Sequence, residues 1–450
     1  MTEPVLIPAV GGTHLVPAPD PIAAEYILLA LRLDQHRPGI VDAYVGPAEL
    51  KARVETEQLV APARLRDAAA ALRERVVREV EAPDRAAWLT VQLRAFETLA
   101  TELAAELAGA TAGSTARSTG GSTLPYPDLV AALFDHPIRW WDEAIFEAAA
   151  AELETLVPGD GPLLDRLAAW DAELTVEEGR VEPLARWLVE RFRERGRELF
   201  GLPDGEALRI GLVRGQPWSG YTWYDGGRRS RVDLNLDLPI RAPDLVGVIA
   251  HETYPGHHLE HAWKEAELVD RLGRLEASLL SIDTPECLLS EGLAEVGRGF
   301  AVPPADEAAF LAEVFAVAGL AVAADPVRCR ETAERAAAIG RLRRRLGAAA
   351  VNAALLRHAE GRSAEEVVAY LRDVGRMSPE RAAKRLEFID HPLWRPYVFV
   401  YAEGEALLAR WLELVPEGER RARFGRLLRE QLTPSAIQAE IEAASSGRSR

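Results

Sequence analysis

The sequence predicts a mainly α fold of 450 residues that carries one small sheet, mixed or antiparallel. Three observations lead there. Apolar residues recur at helical spacing near the start, as Ile22, Tyr26, Leu29 and Leu33 do. Strand-like alternation is confined to one stretch, residues 207–240. Helix start signals then return: Ser363-Ala-Glu-Glu366 is a capping box, and Ser378-Pro379-Glu380 puts proline at a first helical position.

Composition narrows the function classes. The length suits two to three domains or one large helical enzyme, and 48% hydrophobic residues supply a real core. A net charge of −17 argues against a nucleic-acid or anionic-membrane partner. Two cysteines, Cys287 and Cys329, make no disulfide framework, so a reducing compartment is expected. The N-terminus lacks the basic and apolar regions of a signal peptide. The longest apolar run, 309–324, contains Glu313 and is too short to span a bilayer, so a cytoplasmic location is expected.

Taken in order, residues 21–109 read as helices, with 62–74 continuing the pattern. A Gly/Ser/Thr-rich stretch, 109–125, reads as a flexible linker that closes an N-terminal helical region, 1–125. Residues 126–450 form the second region. Trp140 and Trp141 are expected in its core, and helices resume from 141 to 200. Three strands follow: Ala207–Arg214, Gly220–Tyr224 and Ser230–Leu238, with a hairpin turn at Asp225-Gly-Gly227. In the last, Val232, Leu234, Leu236 and Leu238 share one face, and Arg231, Asp233, Asn235 and Asp237 the other.

The chemistry concentrates just beyond that sheet. Of nine histidines, four fall between positions 251 and 261, in His251-Glu-Thr-Tyr-Pro-Gly-His-His258 and then His261. A His-Glu pair followed by a further His on one helix is how two imidazoles meet zinc and a carboxylate meets its water. The simple spacing is not kept, because position 255 is Pro. On a regular helix, residue i+6 points about 120° away from residue i. His251 and His257 therefore share a metal only if the helix between them, expected over 244–269, is distorted. Pro255 removes an N–H and Gly256 tolerates unusual dihedrals, so a widened turn is expected there. His258 returns to the first face about 10 Å further along. His257 ranks above it as ligand, and the other of the pair is expected to support the ligands or face substrate.

The stretch H-E-x-x-P-G-H-H-L resembles the signature of the bacterial domain-of-unknown-function 885 family, whose members resemble gluzincin metallopeptidases. The resemblance extends from Tyr221 to about Pro434 and is weak in the N-terminal third. It implies a large helical metallopeptidase-like fold with the sheet beside the zinc helix. It further implies that Glu291, in Ser290-Glu-Gly-Leu-Ala, is the third zinc ligand, with Glu286 and Glu295 as competitors and Leu293 where the family has Trp. Tyr401 resembles the tyrosine of the family's Tyr-x-x-Gly segment and would stabilise an oxyanion, with Tyr397 as the fallback. Asn235 matches a family asparagine in an edge strand and would bond substrate main chain.

Together these readings predict zinc (Zn2+) on His251, His257 and Glu291, with Glu252 as general base. The expected activity is hydrolysis of amide bonds in short peptides, carboxypeptidase- or dipeptidase-like. The alternatives are hydrolysis of a non-peptide amide or ester, or metal binding without turnover.

Overall fold

Helices account for most of the chain. The structure is a computed structural model, and it describes residues 5–12, 14–111, 122–216 and 218–447. Most of the linker expected at 109–125 lies outside the described residues. Before it come helices Pro21–Asp34, Ala48–Thr56, Pro62–Glu79 and Pro83–Thr111. Asp20 caps the first by accepting from Ala23 N at 2.9 Å. Tyr26 packs on Phe96 with ring centroids 5.0 Å apart. The capping box at Ser363 and the Ser378 cap ahead of Pro379 both form.

The sheet content differs from the single sheet expected. Short strands β1 (Leu6–Pro8) and β2 (Leu15–Pro17) pair antiparallel. Strand β3 (Val41–Tyr44) pairs antiparallel with β7 (Leu279–Ser281), far along the chain. Strands this short carry too few residues for a period-two pattern to show. The expected sheet is three-stranded and mixed: β4 (Ala207–Val213), β5 (Gly220–Gly226) and β6 (Arg229–Asn235), in the order β4-β6-β5. β6 runs parallel to β4 and antiparallel to β5. It ends at Asn235, short of the expected Leu238, because Asp237 turns to accept from Gly215 N and Gln216 N. Leu238 is consequently exposed.

Two apolar clusters organise the helices. One gathers Phe146, Leu184, Phe192 and Phe200 with Ile249, Tyr254, Leu259, Leu289, Leu293 and Leu408. The other joins the N-terminal helices to Leu288, Val351 and Phe399, so the region 1–125 shares its core with the C-terminal half. Helix Pro285–Ala301 lies between the clusters, with Leu288 in one and Leu289 in the other. Trp140 is exposed, contrary to expectation, whereas Trp141 is half-buried with its Nε1 donating to Glu403 at 2.7 Å. Among the described residues, no helix is long and apolar enough to cross a membrane.

One buried acid bears on stability. Asp283, between β7 and helix Pro285–Ala301, is fully buried, and neither carboxylate oxygen has a hydrogen-bond partner. Burial pushes its carboxyl from 3.8 up to about 8, against the pull of Arg37 and Arg395. Between those values the folded chain holds a proton that the unfolded chain does not. Its stabilising effect is full below the unfolded pKa and is lost as pH rises through about 8. Asp283→Asn is therefore expected to flatten this decline and to raise the unfolding free energy at alkaline pH, read from urea titrations, by about 1–3 kcal/mol. Parallel pH profiles for wild type and variant would assign the decline to another group.

Candidate metal centre

Helix Ala242–Glu252 ends on the His251-Glu252 pair, and its apolar face (Leu245, Ile249, Ala250) fixes it in the core. The chain then leaves the helix for 253–256, where the Tyr254–Pro255 bond is cis, and His257 opens a second helix, His257–Lys264. A π-helical turn, Glu265–Arg271, completes it. The one helix expected over 244–269 is thus interrupted outright, not widened by a bulge. Pro255 has no N–H for the His251 carbonyl. A Cβ on residue 256 would stand 1.7 Å from that carbonyl oxygen, so only glycine fits.

The interruption reorients the second helix and brings His257 Nε2 to 3.2 Å from His251 Nε2. Glu291, on helix Pro285–Ala301, joins them: its Oε2 lies 3.3 Å from His251 Nε2, and its Oε1 3.5 Å from His257 Nε2. Four ligands at bonds of about 2.0–2.1 Å around a tetrahedral zinc stand about 3.3 Å apart. The three residues fit such an ion. Their chemistry fits too, because Glu291 Oε2 is buried without a hydrogen-bond partner and two imidazole nitrogens converge beside it.

The other ring nitrogens are backed by acids, the arrangement that aims an imidazole at a metal. His257 Nδ1 lies 3.2 Å from Ser290 Oγ and 3.6 Å from Glu260 Oε2. Ser290 Oγ donates onward to Glu260 Oε2 at 2.6 Å. His251 Nδ1 stands 3.3 Å from Glu295 Oε1, though not aligned for a hydrogen bond, and Glu295 accepts from Arg298 at 2.8 Å. Lys264 Nζ donates to Glu260 at 2.7 Å and to Glu286 at 2.8 Å. His257, Glu260 and His261 also cluster, but Lys264 and Ser290 already satisfy Glu260. That group reads as support for the first.

The electrostatics follow from this packing. Burial opposes charge on His251, yet Glu291 and Glu295 outweigh it and lift its pKa to about 8. His257 is likewise lifted well above the usual range, burial being overcome by Glu291 and Glu260. Burial would raise the Glu291 carboxyl, but His257 and His251 hold it far below the usual range. A metal-free chain therefore gathers protons here that a divalent cation would displace.

The remaining candidates fall in separate places. Glu252 is buried beside the ligand group without joining it, and its Oε2 accepts from Thr222 Oγ1 of β5 at 2.7 Å. Tyr397 donates to Glu291 Oε1 at 2.6 Å and so orients that carboxylate. The Tyr401 ring lies 6.3 Å from the His251 ring. Glu286 is held by Lys264, away from the ligand group.

His258 and Asn235 do not take the places expected of them. His258 is fully buried, its Nε2 3.2 Å from Glu206 Oε2 and its Nδ1 2.7 Å from Ser230 Oγ. Glu206 also accepts from Tyr254 Oη at 2.5 Å and from Arg193 Nε at 2.8 Å. His258 thus pins the interruption to the sheet and neither faces a cleft nor touches a ligand. Asn235 Nδ2 donates to the carbonyls of Gln216 and Trp218, at 2.8 and 2.9 Å. It clamps its own loop and stands on the central strand, because β5, not β6, is the edge beside Glu252.

These placements predict opposite outcomes for the histidine pair. His258→Ala is expected to keep full metal stoichiometry while losing about 1–3 kcal/mol of stability, since Glu206 and Ser230 lose a buried partner. His257→Ala is expected to lose the metal. Elemental analysis with urea unfolding separates the two, and metal loss in the His258 variant alone would reverse the assignment.

Helix Pro285–Ala301 meets helix Val400–Leu412 at two glycines. A Cβ on Gly292 would stand 2.6 Å from the Gly404 backbone, so the helices touch there. This contact places Tyr397 and Tyr401 over Glu291. A glycine in each segment, Glu-Gly and Tyr-x-x-Gly, was the available signal for that contact. Thr222, Ser290, Glu206 and Lys264 carried no such signal, being common residue types at positions without a pattern.

Comparison with known proteins adds fold alone. No family model matches the chain, and no curated protein matches it. Two solved structures resemble it, each of a protein described as a “putative lipoprotein”. That from Colwellia psychrerythraea has 13% identity and a TM-score of 0.50, covering 84% of this chain and 69% of its own. That from Shewanella oneidensis, described as of unknown function, has 9% identity and a TM-score of 0.48, covering 91% and 77%.

Proposed function

We propose that this chain is a zinc-dependent hydrolase that cleaves amide bonds in short peptides, and that it belongs with the domain-of-unknown-function 885 family it resembles. One observation carries the reading: two imidazole nitrogens 3.2 Å apart and backed by carboxylates, each 3.3–3.5 Å from one oxygen of the Glu291 carboxylate, beside a glutamate outside the group. His251, His257 and Glu291 would hold the ion. When bound, zinc lowers the pKa of water towards about 7 and polarises a carbonyl.

The residues around it divide the remaining work. Thr222 holds Glu252 by Oε2, which leaves Oε1 to accept a proton from water and return it to the leaving amine. Tyr401, beside His251, donates a hydrogen bond to the oxyanion. Tyr397 keeps Glu291 in place. β5 pairs on one side only among the described residues, so its other edge is available for a substrate main chain next to Glu252. That edge favours a peptide over other amides. Both cysteines are free, which supports the cytoplasmic location included in this proposal.

The direct test incubates zinc-loaded protein with a mixed dipeptide and tripeptide pool, read by mass spectrometry with and without chelator. Chelator-sensitive cleavage is expected. Bound zinc without any cleavage would turn the reading to a non-peptide amide or ester, or to a binding protein.

A further inference from the structure

Two charged side chains near the metal centre lack the opposite charges that the fold provides elsewhere. Arg385, on helix Pro379–Asp390, makes no hydrogen bond or ion pair among the described residues, and no carboxylate acts on it through space. Its guanidinium carbon lies 5.9 Å from the Phe388 ring centroid. That ring lies 6.3 Å from Tyr397, which donates to Glu291. The Tyr397 ring in turn lies 5.7 Å from that of Tyr401, so Arg385 stands on the face of its helix that meets these rings. Although part-exposed, it is crowded enough by chain for desolvation to lower its pKa. An unpaired guanidinium so placed is costly and has no structural partner to explain it.

Asp42 is the complement. It is the extra residue of a β-bulge, for Val41 pairs with Ser281 and Ala43 with Leu280, leaving Asp42 opposite nothing. Bulges re-aim side chains next to functional sites. Its Oδ1 accepts from Tyr221 of β5, and no Arg or Lys acts on it; His257, Glu291 and Glu252 do. The side chain is exposed.

We propose that Asp42 and Arg385 hold the two ends of the substrate, so that the preferred substrates are short peptides with a free amino terminus and a free carboxyl terminus. Asp42 receives the ammonium, and Arg385 the carboxylate, to which a guanidinium fork is matched. Asp42 bonds Tyr221, next to the Thr222 that holds Glu252, and Arg385 lies behind the Phe388 and Tyr397 rings that lead to Glu291, so the two flank the metal centre and suit a short substrate. The inference rests on the metallopeptidase reading and names its substrate class.

The experiment offers one dipeptide and tripeptide pool in four forms: free, N-acetylated, C-amidated and doubly blocked. Zinc-loaded wild type, Asp42→Asn and Arg385→Gln are compared by rate. In wild type, each block is expected to lower kcat/KM by about 10–100-fold. Asp42→Asn should lose the acetylation penalty and keep the amidation penalty, and Arg385→Gln should do the reverse. A purely structural loss would slow all four forms alike, and would overturn the proposal. Equal cleavage of free and blocked pools by wild type would overturn it too, while leaving the metallopeptidase reading intact. If wild type cleaves no pool, that reading fails by itself. Equilibrium dialysis of the same four pools then decides this one: retention of the free form, lost in both variants, supports it, and equal retention of all forms overturns it.

Discussion

Glu291→Ala is expected to emerge from dialysis with almost no zinc, while the wild type retains one equivalent. Four-ligand zinc sites bind with about 10–16 kcal/mol in total. One protein ligand is then worth about 3 kcal/mol, or on the order of 10²-fold in Kd. A site with only three protein ligands has little margin. Glu291 has its Oε2 buried without a hydrogen bond, so the alanine variant removes an oxygen with no other partner, along with the acceptor of Tyr397. Glu286→Ala should retain the metal, because Glu286 serves Lys264. Glu295→Ala should retain it with weakened affinity, by about 10–100-fold, because Glu295 stands behind His251. Elemental analysis of the three variants decides among them. Full zinc in the Glu291 variant would sink this ligand set and pass the role to Glu295.

Glu252→Gln is expected to bind zinc and peptide as the wild type does, yet to hydrolyse at least about 10²-fold more slowly. The substitution keeps the side chain's size, and its amide oxygen still accepts from Thr222, so the local geometry survives. What it loses is the capacity to take a proton from water. The loss should fall on kcat and leave KM nearly unchanged, since the interaction belongs to the transition state. Equal rates for variant and wild type on the peptide pool would exclude Glu252 as the base. Loss of zinc from this variant would show instead that Glu252 binds the ion.

Much of the local architecture was legible. The helices before residue 109 and the caps at Ser363 and Ser378 follow from periodicity and capping chemistry, which act within a few residues, and the hairpin expected at 225–227 forms with its turn shifted to Gly227-Arg228. The pairing of β3 with β7 was not legible, since strands of four and three residues separated by more than half of the chain leave no pattern. Nor was the shared core that ties residues 1–125 to the C-terminal half. Asn235 shows a subtler failure. Alternation placed it on the polar face of a strand, but only sheet order reveals that this strand is central.

The sequence by itself determined the helical class, the place of the small sheet, and the concentration of metal-binding residue types around His251. Those are properties of residue type and short spacing. Only the tertiary structure decided which donors meet. It broke the helix at Pro255 and Gly256, turned His257 towards His251, and sent His258 to Glu206. It chose Glu291 from three glutamates on one helix, through the crossing at Gly292 and Gly404. It also brought Asp42 to Tyr221 of the sheet edge, and Arg385 to the rings that lead to Tyr397 and Glu291. The reason is physical: a donor's chemistry is carried by its own side chain, whereas its neighbours are chosen by how distant elements pack.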